Sequence, residues 1–132
     1  MSKYSWDATL DVGVEEMNGE HRVLIDKMNH LYDLYASGAP FDGQVAALDD
    51  LLAYAVEHFD DEERFMEASS FPEIEQHKTI HRLLVEKLGE HRGKAVEAGT
   101  LDDKFFNFLG FWIVTHIKGV DTKYGQFVGG LA

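Results

Sequence analysis

The sequence contains no cysteine, only two prolines and few basic residues. Without cysteine the chain cannot form a disulfide, a zinc–thiolate site or an iron–sulfur site, so histidine and carboxylate remain as its strong metal ligands. The 24 acidic residues outnumber the 12 basic ones and give a formal net charge of -12. This charge repels nucleic-acid phosphates and anionic lipid surfaces, so we expect no nucleic-acid partner.

Long hydrophobic runs are also missing. The most apolar stretch, residues 105–114, is interrupted by Asn107 and is far shorter than the roughly 20 residues that span a bilayer. The N-terminal residues lack the basic and then apolar pattern of a secretory signal. We therefore expect a cytoplasmic protein without membrane insertion, folded as one domain over residues 1–132.

Apolar residues recur at intervals of three and four along most of the chain, which is typical of helices with one buried face. The spacing predicts four helices, at about 19–36, 42–68, 72–98 and 101–120. Asn18 and Thr100 are the predicted N-caps of the first and fourth helices, and Pro72 suits the first turn of the third.

The segments outside these helices have no sustained period. Residues 1–17 are predicted to form an extended N-terminal arm, and the residues from Thr122 onward a short C-terminal extension. Four helices joined by short loops predict an all-α fold, an antiparallel up-and-down four-helix bundle.

Two pairs of side chains with metal-ligand chemistry lie within the apolar faces. His58 and Glu62 are four residues apart in the predicted second helix, and His77 and His81 have the same spacing in the third. Residues at this spacing project from the same helix face, one turn apart. The two pairs are therefore expected to converge from neighbouring antiparallel helices.

Three further candidate ligands come from the first and fourth helices. His21 and His116 lie on apolar faces, and Asp121 follows His116 by five residues. Five residues turn a side chain about 140° past one full helical turn, so a regular helix would not point both inward. We predict either a π-type turn or a helix end near Gly119 that lets both reach the site.

Taken singly, His21 or His116 is as readily explained as a hydrogen-bonded core residue. Hydrogen bonding in the core does not explain the complete set, because burying Glu62 or Asp121 costs several kcal/mol unless a counter-charge compensates for it. No Lys or Arg shares the inward faces with these two acids, so a metal cation is the simplest compensation. The remaining histidines and the other acids near the motif are expected to be solvated, namely His30, His91, Asp60, Asp61 and Glu63.

Together these residues resemble the single-domain bacterial members of the hemerythrin family. The match also takes in Trp6 and residues 12–14 of the arm, Trp112 and Tyr124. The resemblance implies a four-helix bundle that holds two iron ions with an oxo or hydroxo bridge. The implied ligands are His21 and His58 on one iron, His77, His81 and His116 on the other, and Glu62 and Asp121 across both.

The resemblance further implies reversible dioxygen binding, for storage, for delivery to oxygen-requiring enzymes or for sensing. With these ligands one position stays open on the two-histidine iron, and dioxygen is expected to bind there. The expected protein is not an enzyme, and an oxygen-consuming enzyme is a candidate partner. The alternatives are a di-iron enzyme that reduces peroxide, nitric oxide or oxygen, and an iron-buffering or iron-repair protein.

No acid, tyrosine or cysteine is evidently placed to relay protons to the site, which disfavours the alternative of a di-iron enzyme. Glu20 departs from the family pattern, which has glutamine there, and we expect it to change the polarity around the site without removing a ligand. Five apolar residues are candidate walls of the oxygen pocket, and each one singly is equally well explained as bundle core: Leu24, Phe59, Trp112, Ile113 and Ile117.

Overall fold

The computed structural model describes residues 3–130, and in this range the chain forms an antiparallel four-helix bundle. Helix α1 spans Glu15–Ala36, α2 spans Phe41–Ala68, α3 spans Ile74–Ala98 and α4 spans Asp103–His116. A π-helical segment, Ile117–Asp121, leads directly from α4 into α5, Thr122–Gly130. Residues 1–2 of the predicted arm and 131–132 of the predicted extension lie outside the described residues.

Asn18 was predicted to be the N-cap of α1, but it connects the N-terminal arm to the helix instead. The helix begins at Glu15, and Val14 occupies the N-cap position without a capping side chain. The buried Asn18 side chain instead accepts a hydrogen bond from the Val12 amide at 3.0 Å and donates one to Asp11 at 2.8 Å. A residue type that favours N-caps is used here to fasten the arm to the first turn.

The predicted N-cap of the fourth helix is also wrong. Gly99 ends α3 in the left-handed conformation, with φ 75°, and its amide bonds back to the Ala95 carbonyl. The chain is extended at Asp102, whose side chain accepts from the Phe105 amide at 2.8 Å and so caps α4. The Thr100 hydroxyl donates to the Leu101 carbonyl instead. Pro72 likewise precedes α3 in a turn rather than lying in its first helical turn.

The arm crosses the bundle over α1, α4 and α5. Tyr4 exchanges two 2.8 Å hydrogen bonds with the Asn29 side chain, and its hydroxyl donates to the Phe106 carbonyl at 2.7 Å. Further along, the Val12 carbonyl lies so close to Gly125 that a Cβ there would be 1.7 Å from the oxygen. Glycine is therefore required where α5 meets the arm.

The helices enclose one continuous apolar core, contributed by all of them and by Leu10 and Val12 of the arm. No helix in the described part of the chain combines the length and the apolar character needed to cross a membrane. The polar exceptions to the apolar core are concentrated at one end of the bundle, where the candidate ligands lie.

Candidate metal centre

The seven candidate ligands are buried together, and every helix from α1 to α4 supplies at least one. Each is at most 4% exposed. The set, called the candidate metal centre below, consists of His21 from α1, His58 and Glu62 from α2, His77 and His81 from α3, His116 from α4 and Asp121 from the π-helical segment.

The π-helical segment decides the position of Asp121. Of the two alternatives the sequence left open, the π-type turn is confirmed and the helix end near Gly119 is wrong, since the chain continues into α5. The wider turn adds one residue per turn, so a spacing of five acts like the usual spacing of four. His116 Nε2 and Asp121 Oδ1 consequently lie 2.9 Å apart.

The ligand atoms form two overlapping groups that share the carboxylates. One group contains His21 and His58, the other contains His77, His81 and His116, and Glu62 and Asp121 belong to both; within each group the ligand atoms all lie within 4.8 Å of one another.

Glu62 divides its two oxygens between the groups. Its Oε2 is 3.3 Å from His21 Nε2 and 3.2 Å from His58 Nε2. Its Oε1 is 3.1 Å from His77 Nε2 and 2.8 Å from His81 Nε2. One oxygen therefore faces each group of imidazoles.

Asp121 is divided in the same way. Its Oδ2 lies 3.1 Å from His21 Nε2, whereas its Oδ1 lies 3.0 Å from His77 Nε2 and 2.9 Å from His116 Nε2. Two carboxylates that each present one oxygen to either group are arranged to bridge two cations.

The donor set fits metal ions because several of its atoms are otherwise unsatisfied. Both oxygens of Asp121, both ring nitrogens of His116 and Nε2 of His58 are buried without a hydrogen bond of acceptable geometry to any residue in 3–130. Buried acceptors without partners are costly. Cations between the imidazoles and the carboxylates would use these lone pairs, and nitrogen and carboxylate donors suit iron.

The electrostatics of the candidate metal centre favour positive charge. Burial alone would raise the pKa values of Glu62 and Asp121, but the surrounding imidazoles lower both. Burial alone would likewise lower the pKa of His58, yet its hydrogen bond to Glu20 and the nearby Glu62 carboxylate raise it to about 9. For His116 the neighbouring Asp121 outweighs burial and raises the pKa to about 10. The carboxylates thus stay ionised and attract cations.

Three groups beside the site were not anticipated from the sequence. Tyr124 is buried, and its hydroxyl donates to Glu62 Oε2 at 3.0 Å. Glu20 accepts from His58 Nδ1 at 2.7 Å, and Glu63 accepts from His81 Nδ1 at 2.9 Å. From the sequence no acid or tyrosine was expected to relay protons to the site, whereas the structure places all three groups in hydrogen bonds with ligand residues, and Glu63 is not simply solvated.

Three of the five candidate pocket walls line one small cavity beside the site. Phe59, Trp112 and Ile113 enclose it together with Leu84 and His116, and the space between them is too narrow to admit a water-sized molecule. Leu24 and Ile117 are fully buried but do not line this cavity.

An apolar groove on the surface lies next to this cavity. Leu84, Trp112 and His116 border both spaces, and Ile80, Phe108 and Phe111 form further parts of the groove wall. The Phe111 side chain is 70% exposed there. Apolar side chains therefore extend from solvent to the edge of the candidate metal centre.

Of the two histidines expected on the surface, only His30 is exposed. His91 is half-buried and stacks on Phe108 with 3.8 Å between ring centroids, so its predicted full solvation is wrong. Both lie outside the candidate metal centre.

Comparison with known proteins gives a consistent result. A family model described as the hemerythrin HHE cation binding domain matches residues 12–128. The chain is 36% identical over 123 residues to a myohemerythrin of Riftia pachyptila, covering 93% of this chain and 92% of that protein. It is 28% identical over 129 residues to a bacteriohemerythrin of Stenotrophomonas maltophilia, covering 97% of this chain and 83% of that protein.

Solved structures agree with the sequence comparisons. A crystal structure of wild-type hemerythrin is similar to this fold with a TM-score of 0.84 and 29% identity, covering 95% of this chain and 97% of that one. A crystal structure of a hemerythrin point mutant gives a TM-score of 0.85 at the same identity, covering 96% of this chain and 97% of that one.

Proposed function

The chain belongs to the hemerythrin family, and on that basis we propose that it binds dioxygen reversibly at a pair of iron ions. The seven residues of the candidate metal centre would hold the pair. The observation that carries the proposal is the division of each shared carboxylate, with one oxygen of Glu62 and one of Asp121 facing each group of imidazoles. In the proposed assignment His21 and His58 would hold one iron, His77, His81 and His116 would hold the other, and Glu62 and Asp121 would serve both.

When bound, a pair of ferrous ions supplies the electrons and the open coordination position that reversible dioxygen binding needs. The chain provides the neutralising charge, since Glu62 and Asp121 are buried where no Lys or Arg of residues 3–130 is buried with them. Tyr124 holds Glu62 in place, because burial and the nearby carboxylates raise the pKa of its hydroxyl and keep it a donor. The imidazoles would supply the remaining bonds without adding charge, because a bound ion displaces the proton from the nitrogen that holds it.

Apolar surroundings support binding of an uncharged diatomic molecule. Phe59 stacks on His81 with 4.1 Å between ring centroids and covers one side of the site. The small cavity and the adjoining groove are lined by aliphatic and aromatic side chains that offer water few hydrogen bonds. Dioxygen, which is apolar, would enter the groove more readily than ions.

Oxygen storage, delivery to an oxygen-consuming enzyme and oxygen sensing all depend on reversible binding, and the same site would serve each of them. We propose this property as the shared function, in a cytoplasmic protein.

The proposal is tested by anaerobic reconstitution with ferrous iron, followed by metal analysis and absorption spectroscopy. We expect two irons per chain and a visible band that appears with oxygen, disappears when oxygen is removed, and returns over repeated cycles. Glu62→Ala should lose iron, whereas Glu67→Ala, an exposed position on the same helix, should keep it. One iron per chain, or a band that never reverses, would contradict the proposal.

A second candidate function is reduction of oxygen or peroxide, and Tyr124 is the observation that favours it. Its hydroxyl donates a hydrogen bond to Glu62 at 3.0 Å. Under this function the reduced protein would be oxidised in a single turnover with no oxygenated form that persists. More than two irons per chain would instead indicate iron buffering.

A further inference from the structure

Two carboxylates approach the candidate metal centre from its outer side, each through one histidine. Glu20, on α1, accepts from Nδ1 of His58 at 2.7 Å, and Glu63, on α2, accepts from Nδ1 of His81 at 2.9 Å. The Nε2 atoms of both histidines face inward, 3.2 Å and 2.8 Å from oxygens of Glu62. Each imidazole therefore connects an outer carboxylate to the inner one.

The two contacts are distributed one to each group of ligands. His58 belongs to the group with His21, and His81 belongs to the group with His77 and His116. By contrast, Nδ1 of His21 and Nδ1 of His116 are buried without a hydrogen-bond partner among residues 3–130. The outer carboxylates therefore contact His58 and His81 but not His21 or His116.

An ionised acceptor on the outer nitrogen changes how strongly the inner nitrogen donates to a metal. The hydrogen bond fixes the tautomer, so that the Nε2 lone pair faces the ion, and it draws the Nδ1 proton towards the carboxylate. The imidazole gains negative character and becomes a stronger electron donor. A stronger donor favours ferric over ferrous iron, since the ferric ion carries the greater charge.

We propose that Glu20 and Glu63 are positioning residues that tune the iron pair, each through one histidine and one ion, and thereby lower its reduction potential. This inference rests on the iron pair of the proposed function but not on oxygen binding. The side chains of Glu20 and Glu63 are 17% and 23% exposed, so partial burial protects both contacts from full solvent screening.

The test uses Glu20→Gln and Glu63→Gln in the full-length, iron-loaded protein. Glutamine has nearly the same shape and still accepts from Nδ1, but it carries no charge. Two matched controls, Glu16→Gln on α1 and Glu67→Gln on α2, also remove one negative charge each. Both residues are exposed, and each lies one helical turn from the glutamate that it controls for. Reduction potentials are measured anaerobically by spectroelectrochemical titration, together with the iron content.

We expect both test variants to retain two irons per chain and to become easier to reduce. At the wild-type midpoint the ratio of ferrous to ferric iron should rise by about tenfold, the lower end of the effects known for outer partners of metal ligands. The controls should leave the potential unchanged, and the double variant should shift it further than either single one.

Unchanged potentials in both test variants would overturn the inference, as would equal shifts in the controls, which would indicate a general charge effect. Loss of iron from the glutamine variants would also overturn it, because the carboxylates would then retain the metal rather than tune it. Absence of iron from the wild type would instead contradict the proposed function, so the two failures are distinguishable.

Discussion

Among single residues, Tyr124 joins the C-terminal helix to the candidate metal centre. Its hydroxyl donates to Glu62 and is fully buried. We expect Tyr124→Phe to retain iron and lower the free energy of unfolding by about 1.5 to 3 kcal/mol, the usual contribution of a hydrogen bond to a charged group. Urea denaturation of the iron-loaded protein measures the loss.

The control for this change is Tyr54→Phe, which removes a hydroxyl from a half-buried tyrosine on α2. It should alter the unfolding free energy by less than about 0.5 kcal/mol. Equal stability of Tyr124→Phe and the wild type would show that the hydroxyl does not stabilise Glu62.

The residues at the site differ in how far the sequence could predict them. His58 and Glu62 were predictable because their spacing of four places them on a common helix face. Tyr124 follows Asp121 by three residues, so its position one turn further along the same face is also predictable from spacing. Glu20 was expected to affect the polarity around the site, but its hydrogen bond with His58 was not predictable, because that contact depends on how α1 is rotated about its own axis against α2.

At the scale of helical elements, the π-helical segment acts as one residue inserted between His116 and Asp121. Deleting Gly119 should restore a regular helix in which the two side chains are four residues apart and still share a face. Inserting an alanine after Gly119 should rotate Asp121 by about 100° away from it. We therefore expect the deletion to retain two irons per chain and the insertion to lose iron.

Metal analysis and circular dichroism check both changes. The substitution Gly119→Ala serves as the control, since a Cβ there would meet nothing within 4 Å. Iron retained in the insertion variant would mean that Asp121 is not needed in the ligand set.

The contact of α5 with the arm gives a separate prediction about folding. In Gly125→Ala the added Cβ would lie 1.7 Å from the Val12 carbonyl oxygen, so backbone must move. We expect a loss of about 1 to 3 kcal/mol in the free energy of unfolding, as for other overpacked sites. Gly129→Ala, on the same helix with nothing within 4 Å of the new Cβ, should not destabilise; equal effects in urea denaturation would refute the steric explanation.

Apolar periodicity predicted the four helices but did not predict the residues at which they begin and end. Asn18 and Thr100 are typical capping residues, and neither caps a helix here. Asn18 is buried against the arm, and Asp102 takes the place of Thr100 because the helix begins two residues beyond the predicted position. Such ends depend on tertiary contacts that local sequence does not contain.

Over the whole molecule, the bundle has two ends of different chemistry. The candidate metal centre lies where α1 and α3 begin and where α2 and α4 end. The opposite end is aromatic: the rings of Tyr32 and Tyr35 lie 5.1 Å and 4.9 Å from that of Phe106, and His91 stacks on Phe108. Aromatic rings also pack at the metal-centre end, so both ends depend on apolar packing and only that end depends in addition on charge compensation.

This division predicts how the protein responds to removal of the metal. Without cations the buried carboxylates keep only the imidazoles and the Tyr124 hydroxyl as partners, so a chelator should lower the overall stability by several kcal/mol. Hydrogen–deuterium exchange should locate the loss. Amides around residues 58–62, 77–81 and 116–121 should exchange faster, by about tenfold for each 1.4 kcal/mol of local stability lost. Residues 31–36, 88–98 and 103–109 should keep most of their protection, because aromatic packing there requires no ion. Faster exchange at the aromatic end, or equal acceleration throughout, would show that the two ends unfold as one unit and that the ion stabilises the entire bundle.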